Sequence, residues 1–263
     1  MFGGTLIKNS GVDFGERMLN AAVTQSIRHL FTRSDEIDVQ IRCQPASKLL
    51  QGEIDGFKMS GRRLLIRKDF WVEEMSFETD AVSIDFGSAL TGKLRLRQPT
   101  NAIARVVLTE AGINHAFTAE LVTQRLQNLD APELTSLSGG EPVSFSDVTV
   151  ALLPANQVRI LAKVSLPNGE IPVSLIATLA VERRRRVVFA EPQFSADQVP
   201  ENLHGVSKVL TNAFAEILNN MVDLDRFDLD GVMMRINRLE THADQLIFSG
   251  YAQIDHFPKQ SQG

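Results

Sequence analysis

Apolar and polar residues alternate with a period of two through much of this chain. Val158, Ile160, Ala162, Val164 and Leu166 hold alternate positions, and the pattern restarts in Ile171, Val173, Leu175, Ala177, Leu179 and Val181. Successive side chains of a strand point to opposite faces, so each run predicts a strand with one buried and one wet face. Pro167, Asn168 and Gly169 between them predict a hairpin turn. Further strands are predicted at 145–153, 186–189, 225–238 and 245–255. In the first half Ile37, Val39, Ile41 and Cys43 alternate with polar residues, and short runs continue to Leu94 and Leu96.

Three segments keep a helical period instead. The first is predicted to open at Asp13, whose carboxylate can cap the helix while Glu16 reaches back, and it aligns Met18, Leu19, Ala22, Val23, Ile27, Leu30 and Phe31. The second, 109–126, carries Ile113, Phe117 and Leu121 on one face, with Gly112 weakening its first turn. The third opens near Pro200 and aligns Leu203, Val206, Leu210, Phe214, Ile217, Leu218 and Met221. Half-buried strands with a few amphipathic helices define an α+β class, a curved antiparallel sheet wrapping the helices.

The expected organisation is a single domain with two pseudo-repeated halves, 1–130 and 143–263, joined by a linker at 131–142. A weak internal echo supports the repeat: residues 54–64 and 229–239 align without gaps and share Asp, Gly, Met, Arg and Leu.

Composition sharpens this picture further. The chain has 263 residues with a net charge of −5, which disfavours a general nucleic-acid binder. Its aromatic content is 15 Phe against one Trp and one Tyr, and Phe suits positions that stay dry. One cysteine, Cys43, excludes an internal disulfide framework and fits a reducing compartment. With no apolar run of signal-peptide or membrane-spanning length, the expectation is a soluble, cytoplasmic protein.

Chemistry is harder to find. His29, His115, His204, His242 and His256 stand far apart, and neither a nucleophile elbow nor a nucleotide-binding glycine loop is present. The acidic group Asp223, Asp225, Asp228 and Asp230 before Gly231 fails the EF-hand spacing, since the first and twelfth places would fall on Arg226 and Asn237. No catalytic residue, metal ligand or cofactor is therefore predicted. Two basic groups are candidates for contact with lipid head groups or an anionic membrane: Lys93, Arg95 and Arg97 on alternate positions, and the run Arg183, Arg184, Arg185 and Arg186.

Several stretches carry a family resemblance. They run from Glu16 to Asn20, Ser47 to Gly52, Met75 to Asp80, Gly139 to Val143 and Met221 to Asp228. Through them the chain resembles the cyanobacterial branch of the LmeA-like phospholipid-binding family over most of its length. The resemblance implies a non-enzymatic domain that binds phospholipid and transfers no active-site residues. An architecture like the tubular lipid-binding folds is expected, with an apolar groove for the acyl chains of a phospholipid or fatty acid. Ile113, Phe117 and Leu121 from the second helix and Phe214, Leu218 and Met221 from the third are the candidate lining residues. The basic groups would meet the head group or hold the protein peripherally on a thylakoid or plasma membrane. The competing reading is a structural or protein-interaction domain without a ligand.

Overall fold

A computed structural model describes residues 21–256, excepting positions 22, 26, 29, 30, 46, 67, 68, 86, 89–94, 168 and 222–230. Asp13, Glu16, Lys93 and the aspartates at 223, 225, 228 and 230, singled out above, lie outside the described residues.

The strands, in chain order, are β1 (Arg33–Arg42), β2 (Glu53–Ile54), β3 (Gly56–Ile66), β4 (Phe70–Thr79), β5 (Val82–Ser83) and β6 (Thr100–Thr109), followed by β7 (Phe145–Leu152), β8 (Gln157–Leu166), β9 (Gly169–Glu182), β10 (Arg186–Phe194), β11 (Val232–His242) and β12 (Gln245–Ile254). The described residues form a six-stranded antiparallel sheet of order β1-β3-β4-β6-β12-β11, a four-stranded one of order β10-β9-β8-β7, and the small pair β2-β5. Helices α1 (Ser47–Leu50), α2 (Glu110–Ala116), α3 (Glu120–Thr123), α4 (Pro132–Ser138) and α5 (His204–Met221) accompany them. Mostly antiparallel, unclosed sheet with a few packed helices is the α+β class expected from the alternation.

The four-stranded sheet shows why the pattern was readable. Val158, Ile160, Ala162 and Val164 of β8 and Ile171, Val173, Leu175, Ala177 and Leu179 of β9 are all buried, while the residues between them are more exposed, except for buried Ser174. Against that inner face lies α5, whose Leu210, Phe214 and Leu218 are buried among the same strands. The same core takes in Ile236, Leu239 and Leu246 from the hairpin β11–β12 of the larger sheet. A second core gathers Ile37, Val39, Ile41, Met59, Leu64 and Met75 under Val23 and Ile27, and residues 21, 23–25, 27 and 28 are helical. The sheet, not a membrane, covers the part of that first stripe which is described. Leu108 and Phe248 pack on both cores and join them.

Two features of the topology show how the two parts of the chain join. The last hairpin, β11–β12, pairs with β6 and so completes the sheet begun by the first half. The segment 131–142 carries α4, with Leu134 buried in the main core.

The edge of β11 is held by the turns of the smaller sheet. Asn156 accepts from Thr241 N–H at 2.8 Å through Oδ1 and donates to Leu239 carbonyl at 3.1 Å. Ile236 N–H donates to Arg184 carbonyl at 2.7 Å, next to a register shift between Ile236 and Arg238. Gly250 lies opposite this bulge, where a Cβ would come within 1.9 Å of the Arg235 carbonyl oxygen, so a side chain has no room.

Candidate functional site

The site is built from the chain between β6 and β7 and from the end of α5. At the end of β6, Thr109 leaves the strand in extended geometry and its Oγ1 accepts from Gly112 N–H at 3.0 Å, so α2 starts one residue beyond the strand with its cap in place. Gly112 has a positive use here: a Cβ at this position would lie 3.3 Å from the Trp71 carbonyl oxygen, and its absence brings α2 close to β4.

One face of α2 is tied to strand β7, an edge of the smaller sheet. Asn114 Oδ1 accepts from Val150 N–H at 2.7 Å and its Nδ2 donates to Val150 carbonyl at 2.9 Å, while Glu110 Oε2 accepts from Leu152 N–H at 2.8 Å. These bonds satisfy backbone groups that an edge strand would otherwise present to solvent. The other edge, β10, is met in the same way by α5. Asn219 Oδ1 accepts from Phe189 N–H at 2.7 Å and Nδ2 donates to Phe189 carbonyl at 3.3 Å.

The helix expected over 109–126 is interrupted. Thr118 Oγ1 donates to His115 carbonyl at 2.7 Å, and Ala119, buried, is extended with φ −65° and ψ 139°. The chain then resumes as α3 and a single 3₁₀ turn, Gln124–Leu126, with Leu126 buried. Because of this break the apolar residues of α2 and α3 form two walls of a cavity rather than one straight stripe.

That cavity has a volume of about 340 Å³. Ile113, Ala116 and Phe117 of α2 and Leu121 and Val122 of α3 face Phe70, Trp71 and Val72 at the start of β4. Phe189 of β10 and Leu218 and Met221 of α5 complete it, with Leu108 at the end of β6. Burial grades across the lining. Leu218 is 1% exposed, Val72 5% and Phe189 9%, whereas Leu121 is 44% exposed. Arg125, exposed, is the single charged residue among the lining residues.

The structure thus brings together Ile113, Phe117, Leu121, Leu218 and Met221 from the candidate set. Phe214 does not join them: it is fully buried, and its ring stacks on Phe145 with centroids 4.6 Å apart. Sequence reasoning missed Phe70, Trp71, Phe189 and Arg125. Trp71 is the chain's one tryptophan, in a strand whose alternation is short. Arg125 follows Leu121 by four residues, the spacing that puts two side chains on one helical face.

The described members of the predicted basic groups stand elsewhere. Arg183 and Arg184, both with positive φ, turn the chain between β9 and β10, and Arg185 N–H closes the turn onto Glu182 carbonyl at 3.1 Å. Arg184 bonds Asn237 through Nη2 and lies over the Tyr251 ring, 5.9 Å from its centroid. Arg186 reaches Glu182 at 3.1 Å and donates to the Asn219 carbonyl at 2.9 Å. Arg185 is half-buried and Arg183 exposed. In the other group Arg97 donates to Gln51 carbonyl at 2.7 Å, and Arg95 is exposed. None of these cations lines the cavity.

An antiparallel α+β fold with an apolar cavity held between its sheets and helices is the class that these observations define. The chain belongs to the LmeA-like phospholipid-binding family, whose model matches residues 11–250. No curated protein matches it significantly. Among the described residues no helix is long and apolar enough to cross a membrane.

Proposed function

We propose that this protein is a non-enzymatic phospholipid carrier that holds an acyl chain between α2, α3, the start of β4 and the end of α5. The observation that carries the reading is the cavity itself: about 340 Å³, walled by aliphatic and aromatic side chains, and partly open to solvent. Ligand cavities run from roughly 300 to 1,000 Å³, and this one stands at the lower end, a size for one chain. Family membership supplies the ligand class.

Burial of the chain needs no covalent chemistry and no cofactor. Each buried methylene contributes about 0.8 kcal/mol, so roughly eight of them contribute about 6 kcal/mol before the costs of ordering the lipid. The exposed Arg183 and Arg95 remain available for peripheral contact with an anionic membrane, whereas Arg184 and Arg186 hold the fold together.

The test is native mass spectrometry with lipid extraction, on the protein as purified and on Ile113→Trp, which adds bulk inside the cavity. The wild type should carry phospholipid or fatty acid near one per chain, and the variant should fold and carry much less. A lipid-free wild type that takes up nothing from phospholipid vesicles would overturn the proposal.

A further inference from the structure

Arg125 is exposed and, among the described residues, is the one charged side chain that lines the cavity. It stands in the 3₁₀ turn that follows α3 and lines the cavity together with Leu121, the most exposed apolar residue of the wall, and among the described residues no carboxylate pairs with it. Other arginines do have such partners: Arg105 meets Glu74 at 3.1 Å, Arg238 meets Glu240 at 2.7 Å, and Arg63 meets Asp35 at 3.4 Å. Glu120, the carboxylate nearest to it in α3, is engaged by Gln124 Nε2 at 2.9 Å. An apolar cavity with one uncompensated cation on its exposed wall has the polarity of an amphiphile.

The geometry points to Arg125 as the anchor for the phosphate of a lipid whose acyl chain fills the cavity, an assignment that rests on the acyl-chain reading above. The graded burial sets the direction. A chain enters with its methyl end toward the most buried lining residues, Leu218, Val72 and Phe189, and leaves its head beside the exposed Leu121 and Arg125. A guanidinium stays charged at any physiological pH and offers paired N–H donors that match two phosphate oxygens, a contact that a head group without phosphate does not provide. The volume adds selectivity for one chain at a time, so the preferred occupant is a single-chain phospholipid or one tail of a diacyl lipid with its anionic phosphate at the mouth.

Trp71 makes the assignment measurable, because the chain's one tryptophan lines the cavity and its emission reads occupancy. Delipidated wild type, Arg125→Gln and Arg125→Lys are titrated with lysophosphatidic acid and with a monoacylglycerol of the same chain, with inorganic phosphate as competitor. Wild type should prefer the phosphate lipid by roughly tenfold or more, the range of a hydrogen-bonded charged contact at a partly exposed site. Arg125→Gln should lose that preference and keep its monoacylglycerol affinity, Arg125→Lys should keep part of it, and added salt should shrink it in the wild type. Inorganic phosphate at the lipid's own concentration should not compete.

An undiminished preference in Arg125→Gln would overturn the anchor and leave the cavity reading standing. Competition by inorganic phosphate at lipid concentration would show a phosphate site independent of any acyl chain, and would also overturn it. If neither lipid changes Trp71 emission in the wild type, the acyl-chain reading falls and takes the anchor with it.

Discussion

Phe117 and Phe214 hold equivalent places in their helical stripes and opposite places in the molecule. Phe214 is fully buried and stacked on Phe145, so its neighbours are fixed on every side. Phe117 is half-buried and borders about 340 Å³ of open volume. Truncating a closely packed phenylalanine costs about 3–5 kcal/mol, whereas enlarging a side chain into spare volume avoids the roughly 1–3 kcal/mol of overpacking. Denaturant unfolding of the delipidated proteins should therefore show Phe214→Ala severely destabilised and Phe117→Trp close to wild type, with lipid uptake reduced only in the latter's folded fraction. Comparable losses of stability in both would mean that Phe117 is core and that the cavity is not a binding site. Sequence periodicity could not separate the two, because it reports which side of a helix is apolar and says nothing of what fills the space opposite. Arg125 was hidden for a related reason: clusters of cations stand out in a sequence, and a lone cation matters only once its surroundings are known.

At the scale of elements, the strands β8 and β9 were legible because one face of each packs on α5 and the other meets solvent, which forces alternation. The start of α2 near Thr109 was legible too, and Thr109 caps it by accepting from Gly112 N–H, whereas the strand β6 that precedes it was not read. The break at Ala119 was not. No glycine or proline marks it, and the extended residue is fixed by burial in the tertiary structure. Equally hidden were the two asparagine clamps, in which Asn114 and Asn219 each bind both backbone groups of one edge residue, Val150 and Phe189. One clamp fixes α2 and the other fixes the end of α5, two of the elements that line the cavity. Asn219→Ala leaves the Phe189 N–H without its acceptor, at a cost of about 1–3 kcal/mol if the group stays dry. Amide exchange should accelerate at Phe189 and along the last turn of α5, and lipid affinity should fall even though Asn219 does not line the cavity. Unchanged exchange at Phe189 would mean that the clamp contributes nothing to holding the helix.

For the whole molecule, the decisive fact is that the chain's last hairpin returns to its first sheet. β12 pairs with β6 over ten residue positions, and Ile236, Leu239 and Leu246 of that hairpin are buried in the core of the smaller sheet. Residues 1–130 alone would keep β1, β3, β4 and β6 but expose the edge of β6, and would lose the strands against which α2 is clamped. Residues 143–263 alone would keep the smaller sheet and α5 but leave β11–β12 without its neighbour. Leu108 and Phe248, each packed on both cores, couple what remains. The expectation is one cooperative unfolding transition for the intact protein, with circular dichroism and Trp71 emission changing together although the tryptophan sits on the larger sheet. Expressed separately, neither half should show a cooperative transition. Mixed together they should regain structure and Trp71 quenching or enhancement by lipid only as a complex. Two separated transitions in the intact chain, or a stably folded 143–263 fragment with native amide protection, would show that the smaller sheet is an independent unit to which the final hairpin is merely attached.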